Sequence, residues 1–177
     1  MIEDRVRGRG HARCVGFRLA RGGFILSTDA DTVVPPTWID DLLDRFSSQR
    51  IVAVSGTARI GDCAALTNGL FNMLQPTLMV LYWVAFGHFW LTGCSFAIRR
   101  GSYERCGGFH SDLCEQEDTE LARRVRRVGH IAFMRKPVTC SGRRFRQGLF
   151  RVILDYIISY VATVMFSRGT VRLPDVR

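Results

Sequence analysis

Hydrophobic and polar positions follow two different periods along this chain. Phe24-Ile25-Leu26 is a short apolar run ending in Ser-Thr-Asp, and the residues before it, 5–23, are rich in glycine and arginine. That pattern predicts a basic loop, a short helix, a turn and a buried strand. After Pro35-Pro36-Thr37, the side chains of Trp38, Ile39, Leu42, Leu43 and Phe46 recur at helical spacing, with Thr37 placed to cap the helix. Residues 51–58, IVAVSGTA, are rich in β-branched side chains and end on small ones, as a second strand would. Further on, RRGSYERCGGF reads as a helix start with a glycine break, and EQEDTELARRVRRVG as a helix closed by Gly129. HIAFMRKPVTC reads as a last short strand before the basic turn SGRRFRQG. Strands alternating with helices predict an α/β sheet domain.

Two stretches are apolar beyond what a half-buried element needs. Residues 63–98 contain no Asp, Glu, Lys or Arg. A spanning helix needs about 20 predominantly apolar residues. Asn68, Asn72, Gln75, Pro76 and His88 interrupt this stretch, so a helix followed by the strand FWLTGCSFAI is the better reading. The last helix, about 149–167, is apolar nearly all round. Its polar residues Arg151, Asp155, Ser159, Thr163 and Ser167 fall four apart and make one narrow winding stripe. The rest of its surface must meet protein or the acyl boundary of a membrane, and Arg151 and Asp155 argue against a lone span. The chain thus divides into a domain over residues 1–145 and a C-terminal apolar helix and tail over 146–177.

Charge sharpens this outline. The net charge of +9 is almost wholly arginine, because Lys136 is the only lysine. A guanidinium grips phosphate with two aligned donors, so phosphate is a natural partner. Six scattered cysteines form no C-x-x-C pair and read as reduced thiols of a cytoplasmic protein. The polar, basic start has no secretory pattern.

The candidate chemistry lies in carboxylates. Asp29 and Asp31 directly follow the first strand, at the carboxyl end where open α/β sheets bind ligands. They could hold a divalent cation bridged to phosphate, or serve only as turn and capping residues. Glu115, Glu117, Asp118 and Glu120 cluster at a helix start. The helix dipole favours acids there, but an adjacent Glu-Asp pair also suits a general base beside an acceptor-binding group. Arg143 and Arg144 could stabilise negative charge developing on a leaving phosphate, or form a solvated basic turn.

In this order the segments ARCVGFRLARGGFILSTDADT, GCSFAIRRGSYERCGGF and EDTELARRVRRVG resemble the motifs of family 2 glycosyltransferases over about residues 8–145. The resemblance implies a GT-A (Rossmann-like) mixed sheet flanked by helices, N-terminally truncated, with a C-terminal apolar helix. It implies an inverting, metal-dependent transfer from a nucleotide-sugar donor to a hydroxyl or lipid-linked acceptor. Asp29 and Asp31 would hold Mg2+ or Mn2+ on the donor diphosphate, with Asp31 the more direct ligand. Asp118 would be the base, with Glu117 its neighbour in acceptor binding or its rival. Arg13, Ala30, Gly93, Cys94 and Ser95 would line the donor and acceptor sides, and Arg143 and Arg144 would approach the diphosphate.

Two features depart from the family pattern. Cys14 stands where asparagine commonly follows Ala-Arg, and the Q-x-x-R-W signature of processive synthases is absent, which favours single transfers. The strands that clasp the nucleoside in the family have no counterpart before residue 8; an internal or misassigned start at Met1 is the preferred explanation. Missing strands would leave sheet edges exposed, which suggests a protein partner or self-association. Arginines flanking the apolar helices suggest a peripheral position at the cytoplasmic membrane face and a carbohydrate or polyprenyl-linked acceptor. The competing reading is a catalytically silent remnant or subunit associated with a membrane or another transferase. Nucleic acid is not an expected partner, because no aromatic platform is interleaved with the arginines.

Overall fold

A computed structural model describes residues 9–110 and 116–166. The first eight residues, Cys114, Glu115, Ser167 and the side chain of Thr163 lie outside the described residues. In chain order the elements are α1 (Arg9–Leu19), β1 (Phe24–Ser27), α2 (Trp38–Leu43), β2 (Ile51–Ile60), α3 (Ala65–Phe86) and β3 (Phe96–Arg99). They continue with α4 (Arg100–Arg105), α5 (Glu117–Val125), β4 (His130–Cys140), a 3-10 turn (Arg143–Gln147) and α6 (Leu149–Phe166).

The strands form one mixed sheet in the order β1-β3-β2-β4. β3 is antiparallel to both β1 and β2, and β2 runs parallel to β4. Side chains of a strand alternate between its faces, and β3 shows what this does. Phe96 and Ile98 enter one core layer with Phe17, Tyr103, Phe109 and Leu121, whereas Ala97 enters the other with Trp38, Leu42, Met134 and Val138. Because helices cover both faces, eight of the ten residues of β2 are buried, and this strand therefore reads as a continuous apolar run rather than an alternating one. Among the described residues β1 pairs with β3 alone.

The polar residues that interrupt the apolar stretch of α3 have a structural use. β3 pairs with β2 only over Ala53–Ser55, and beyond Gly56 that edge of β2 needs other partners. Asn72 supplies one, accepting from Ile60 N at 2.9 Å and donating to Ile60 O at 3.1 Å, while Gln75 Oε1 accepts from Ala58 N at 3.4 Å. One turn earlier Asn68 bonds both backbone groups of Cys63. Positions 68, 72 and 75 lie on one helix face, so α3 is laid along the sheet as a side-chain substitute for a strand. Gly87, in the left-handed region at φ 72°, ends the helix by donating to Trp83 O.

One expectation needs correction. The strand expected over FWLTGCSFAI is confined to Phe96–Arg99, because Ser95 N turns back to Thr92 O and Thr92 N bonds Ser55 Oγ. The turn this creates carries Gly93, Cys94 and Ser95. Along the winding polar stripe of α6, Arg151 is exposed and Ser159 is buried. The helix packs on the 3-10 turn and α5, burying Leu149 and Val152.

Replacing Asn72 by leucine keeps the volume but removes both partners of Ile60. The expected loss is about 1–3 kcal/mol of stability, measured as a lower urea midpoint, with Thr77→Ser on the exposed side of α3 as an inert control.

Candidate active site

The site begins with the placement of α1. Phe17 packs among Phe96, Tyr103 and Phe109, with ring centroids 5.7, 5.0 and 4.9 Å away. This anchor sets the rotation of the helix. Arg13, one turn earlier and on the same face, is thereby aimed at the carboxyl end of β1. There Ser27 Oγ donates to Gly93 O at 3.2 Å, and Asp29, Ala30 and Asp31 leave the sheet in a turn closed by Thr32 N to Asp29 O. Val33 pairs both ways with Thr139 of β4, which fixes the far side of that turn.

Arg13 gathers the acidic groups. Its Nη2 donates to Asp29 Oδ1 at 2.7 Å, its Nη1 donates to Glu117 Oε1, and Asp118 Oδ2 lies 3.8 Å from Nη1. Burial works against the cation, but Asp118, Glu117 and Asp29 outweigh it and hold the Arg13 pKa above the ordinary arginine value. Glu117 is buried at 3% exposure, a cost that this ion pair offsets. Gly93 lies directly against the cluster. A Cβ there would collide with the Arg13 guanidinium and come within 2.7 Å of Asp118 Oδ2, so the turn must be bare at that position.

The start of α5 is shaped for this meeting. Gln116, the residue before it, is the one non-glycine residue at positive φ among the described residues (φ 58°). A left-handed backbone at such a residue costs energy and marks a turn held by its surroundings. Beyond it, Glu117 points inward to Arg13, while Asp118 Oδ1 accepts from Thr119 N at 2.7 Å. Arg124, bonded to Glu120 and to Cys106 O, clamps α5 against the end of α4.

The other residues expected at the site divide. Arg143 reaches it, donating to Asp31 Oδ2 at 2.8 Å, but both partners are half exposed, so the pair is screened and exchangeable. Arg144 turns away to Tyr156 of α6, with a bond of 3.0 Å to its hydroxyl and its charge over the ring. Ala30 is exposed in the turn. Ser95 is fully buried; its Oγ accepts from the Trp38 indole at 3.0 Å. Cys94 is buried, and its thiol is pushed well up by its hydrogen bond to Cys140, by burial and by nearby Asp29 and Asp118. Cys140 itself lies 3.4 Å from Thr32 Oγ1. Cys14 turns toward Phe109 O at 3.9 Å. Arg13 stands in the family motif, but its bond to Glu117, 104 residues along the chain, has no signal in local spacing.

This fold is the GT-A fold of glycosyltransferases. It superposes on the mannosyltransferase PcManGT from Pyrobaculum calidifontis, solved with GDP-Man and Mn2+, with a TM-score of 0.63 at 22% identity, over 97% of this chain and 47% of that one. It also matches glucosyl-3-phosphoglycerate synthase from Mycobacterium tuberculosis, solved with Mn2+, UDP and glucosyl-3-phosphoglycerate, with a TM-score of 0.54 at 17% identity, over 98% and 58% of the two chains. The family model "Glycosyl transferase family 2" matches residues 2–107, and the chain belongs to that family. "Probable glycosyltransferase YdaM" of Bacillus subtilis (strain 168) is 30% identical over 142 residues. The alignment covers 75% of this chain and 33% of that relative, so the chain spans about a third of the relative's length.

Arg13→Met leaves Glu117 buried without this cation. The expected loss is about 3 kcal/mol near neutral pH, read by urea unfolding.

Proposed function

We propose that this chain carries the metal and acceptor side of an inverting glycosyltransferase, moving a sugar from a nucleotide-sugar donor to an acceptor hydroxyl in single transfers. One observation carries the reading: the Asp29–Asp31 turn and the Glu117-Asp118 pair, far apart in sequence, meet across Arg13 on the bare face of Gly93. Family membership and the Mn2+ and nucleotide ligands of the two similar structures support it.

The donor set fits a divalent cation. Asp29 and Asp31 offer hard oxygens at a strand end, and an ion bound by one or two carboxylates takes its other ligands from phosphate and water. Asp29 is committed to Arg13, while Asp31 is half exposed and, among the described residues, is paired with exposed Arg143. Asp31 would therefore be the more direct ligand, and Arg143 stands where it could face the diphosphate. Bound Mg2+ or Mn2+ would supply positive charge against the leaving diphosphate.

Asp118 is the base in this scheme. Its Oδ1 is held by Thr119, so Oδ2, which faces Gly93 and lies 3.8 Å from Arg13 Nη1, is the oxygen that would take the acceptor proton. The acceptor oxygen forms its bond to the anomeric carbon as its proton passes to Asp118 Oδ2 and the bond to the diphosphate breaks. The electron pair leaves with the diphosphate, and attack opposite to it inverts the centre. Glu117 acts through Arg13, as a positioning residue.

A silent-scaffold reading is favoured by one feature, that both Asp29 and Asp31 already hold arginines. The two readings separate cleanly. Mn2+-dependent binding of UDP or GDP, followed by calorimetry, is expected to be lost in Asp31→Asn and kept in Asp118→Asn. Nucleotide-sugar turnover should fall about a thousand-fold in Asp118→Asn, within the range for a lost general base. Neither binding nor turnover in the parent chain would favour the scaffold.

A further inference from the structure

Beyond the acidic site, the largest unexplained feature is an apolar surface made by two helices. α3 and α6 touch where Tyr82 and Phe86 of the one meet Tyr160 of the other, the two tyrosine hydroxyls lying 3.2 Å apart and Phe86 packing on the Tyr160 ring. Each helix then turns an apolar stripe outward: Met73, Leu81 and Val84 on α3, and Phe150, Leu154 and Ile157 on α6, all exposed. Phe150, Leu154 and Ile157 recur at i, i+4 and i+7, and Met73, Leu81 and Val84 at i, i+8 and i+11, so each trio lies on one helix face. Isolated exposed hydrophobes are ordinary, but two such stripes on touching helices are not.

We propose that this face rests on the surface of an anionic phospholipid bilayer, with α3 lying in the interface rather than crossing it. The inference goes beyond glycosyl transfer and does not depend on it.

Length and composition alone would let α3 cross a membrane, since 22 residues extend about 33 Å as a helix. Its attachment decides otherwise. Asn68, Asn72 and Gln75 bind the backbone of β2 and the following turn, so the opposite face of the helix is the one left outward. A helix pinned along a sheet cannot also be surrounded by lipid, but it can lay one face in the headgroup and acyl boundary.

Charge selects the occupant. α3 carries no charged residue, and arginines stand around the helix pair. Arg126 donates to Phe86 O at the end of α3, Arg146 approaches Asp62 O near its start, and Arg144 lies over Tyr156 of α6. Arginine stems can lie along apolar surface with their heads at lipid phosphates. Trp83, 47% exposed and stacked on Phe89, offers an interfacial aromatic. A second copy of the chain fits less well, because a net charge of +9 on each molecule would oppose their approach.

Flotation of the full chain with vesicles tests this. Binding is expected to vesicles of phosphatidylcholine with 30% phosphatidylglycerol and to be at least ten-fold weaker with phosphatidylcholine alone. Val84→Glu combined with Leu154→Glu should lower partitioning into the anionic vesicles at least ten-fold, with unchanged circular dichroism and melting. Both positions are exposed, so the fold should survive. A second readout is quenching by brominated lipid, expected in the parent chain and reduced in Trp83→Phe. Equal binding of parent and double variant, equal binding to both vesicle types, or no vesicle binding with a dimer in sedimentation would each overturn the proposal.

Discussion

The guanidinium of Arg13, set among Asp29, Glu117 and Asp118, is the interaction on which the candidate site depends. Three carboxylates this close would repel one another, and Glu117 is too deeply buried to be solvated. A single delocalised cation with forked donors satisfies two of them directly and faces the third. It can do so only because Phe17 fixes the rotation of α1, Gly93 leaves room under the guanidinium, and the left-handed Gln116 starts α5 in the required direction. Core packing, a glycine turn and a backbone of unusual conformation are thus coupled through one charged group.

A second constraint comes from the partial pairing of β2. Strand partners end early on one side, and buried backbone groups must be bonded somewhere. The amides of α3 fill that need, which binds an apolar helix flat against the sheet. The outward stripe of that helix follows from its inward attachment. The 3-10 turn then joins the two regions of interest, because Arg143 faces Asp31 and the next residue, Arg144, faces Tyr156. A ligand change at Asp31 and a surface contact at α6 therefore act on neighbouring residues.

Much of this was legible from one dimension. The strand before Asp29, the buried strand from Ile51, the amphipathic helix with acids in its first turn, and the last apolar helix all stand where periodicity places them. The family resemblance agrees with the GT-A architecture and with family membership. Periodicity failed where a polar residue had a distant use. Asn72 and Gln75 looked like interruptions of an apolar segment and are partners for a strand edge, and Ser159, one of the polar residues of α6, is buried. The residues around Gly93 looked like strand because they are apolar and small, but a hydroxyl on β2 holds them in a turn.

What the sequence determined by itself is local: which segments become helix or strand, which residue types can hold a cation or move a proton, and that arginine carries the positive charge. Tertiary structure alone decided which of these groups meet. Arg13 and Glu117 are joined across 104 positions and Arg143 and Asp31 across 112, and no local period encodes contacts of that range. They arise because helices packed on both faces of one sheet bring distant loops to the same strand ends, where a charge is stable only if its partner arrives with it.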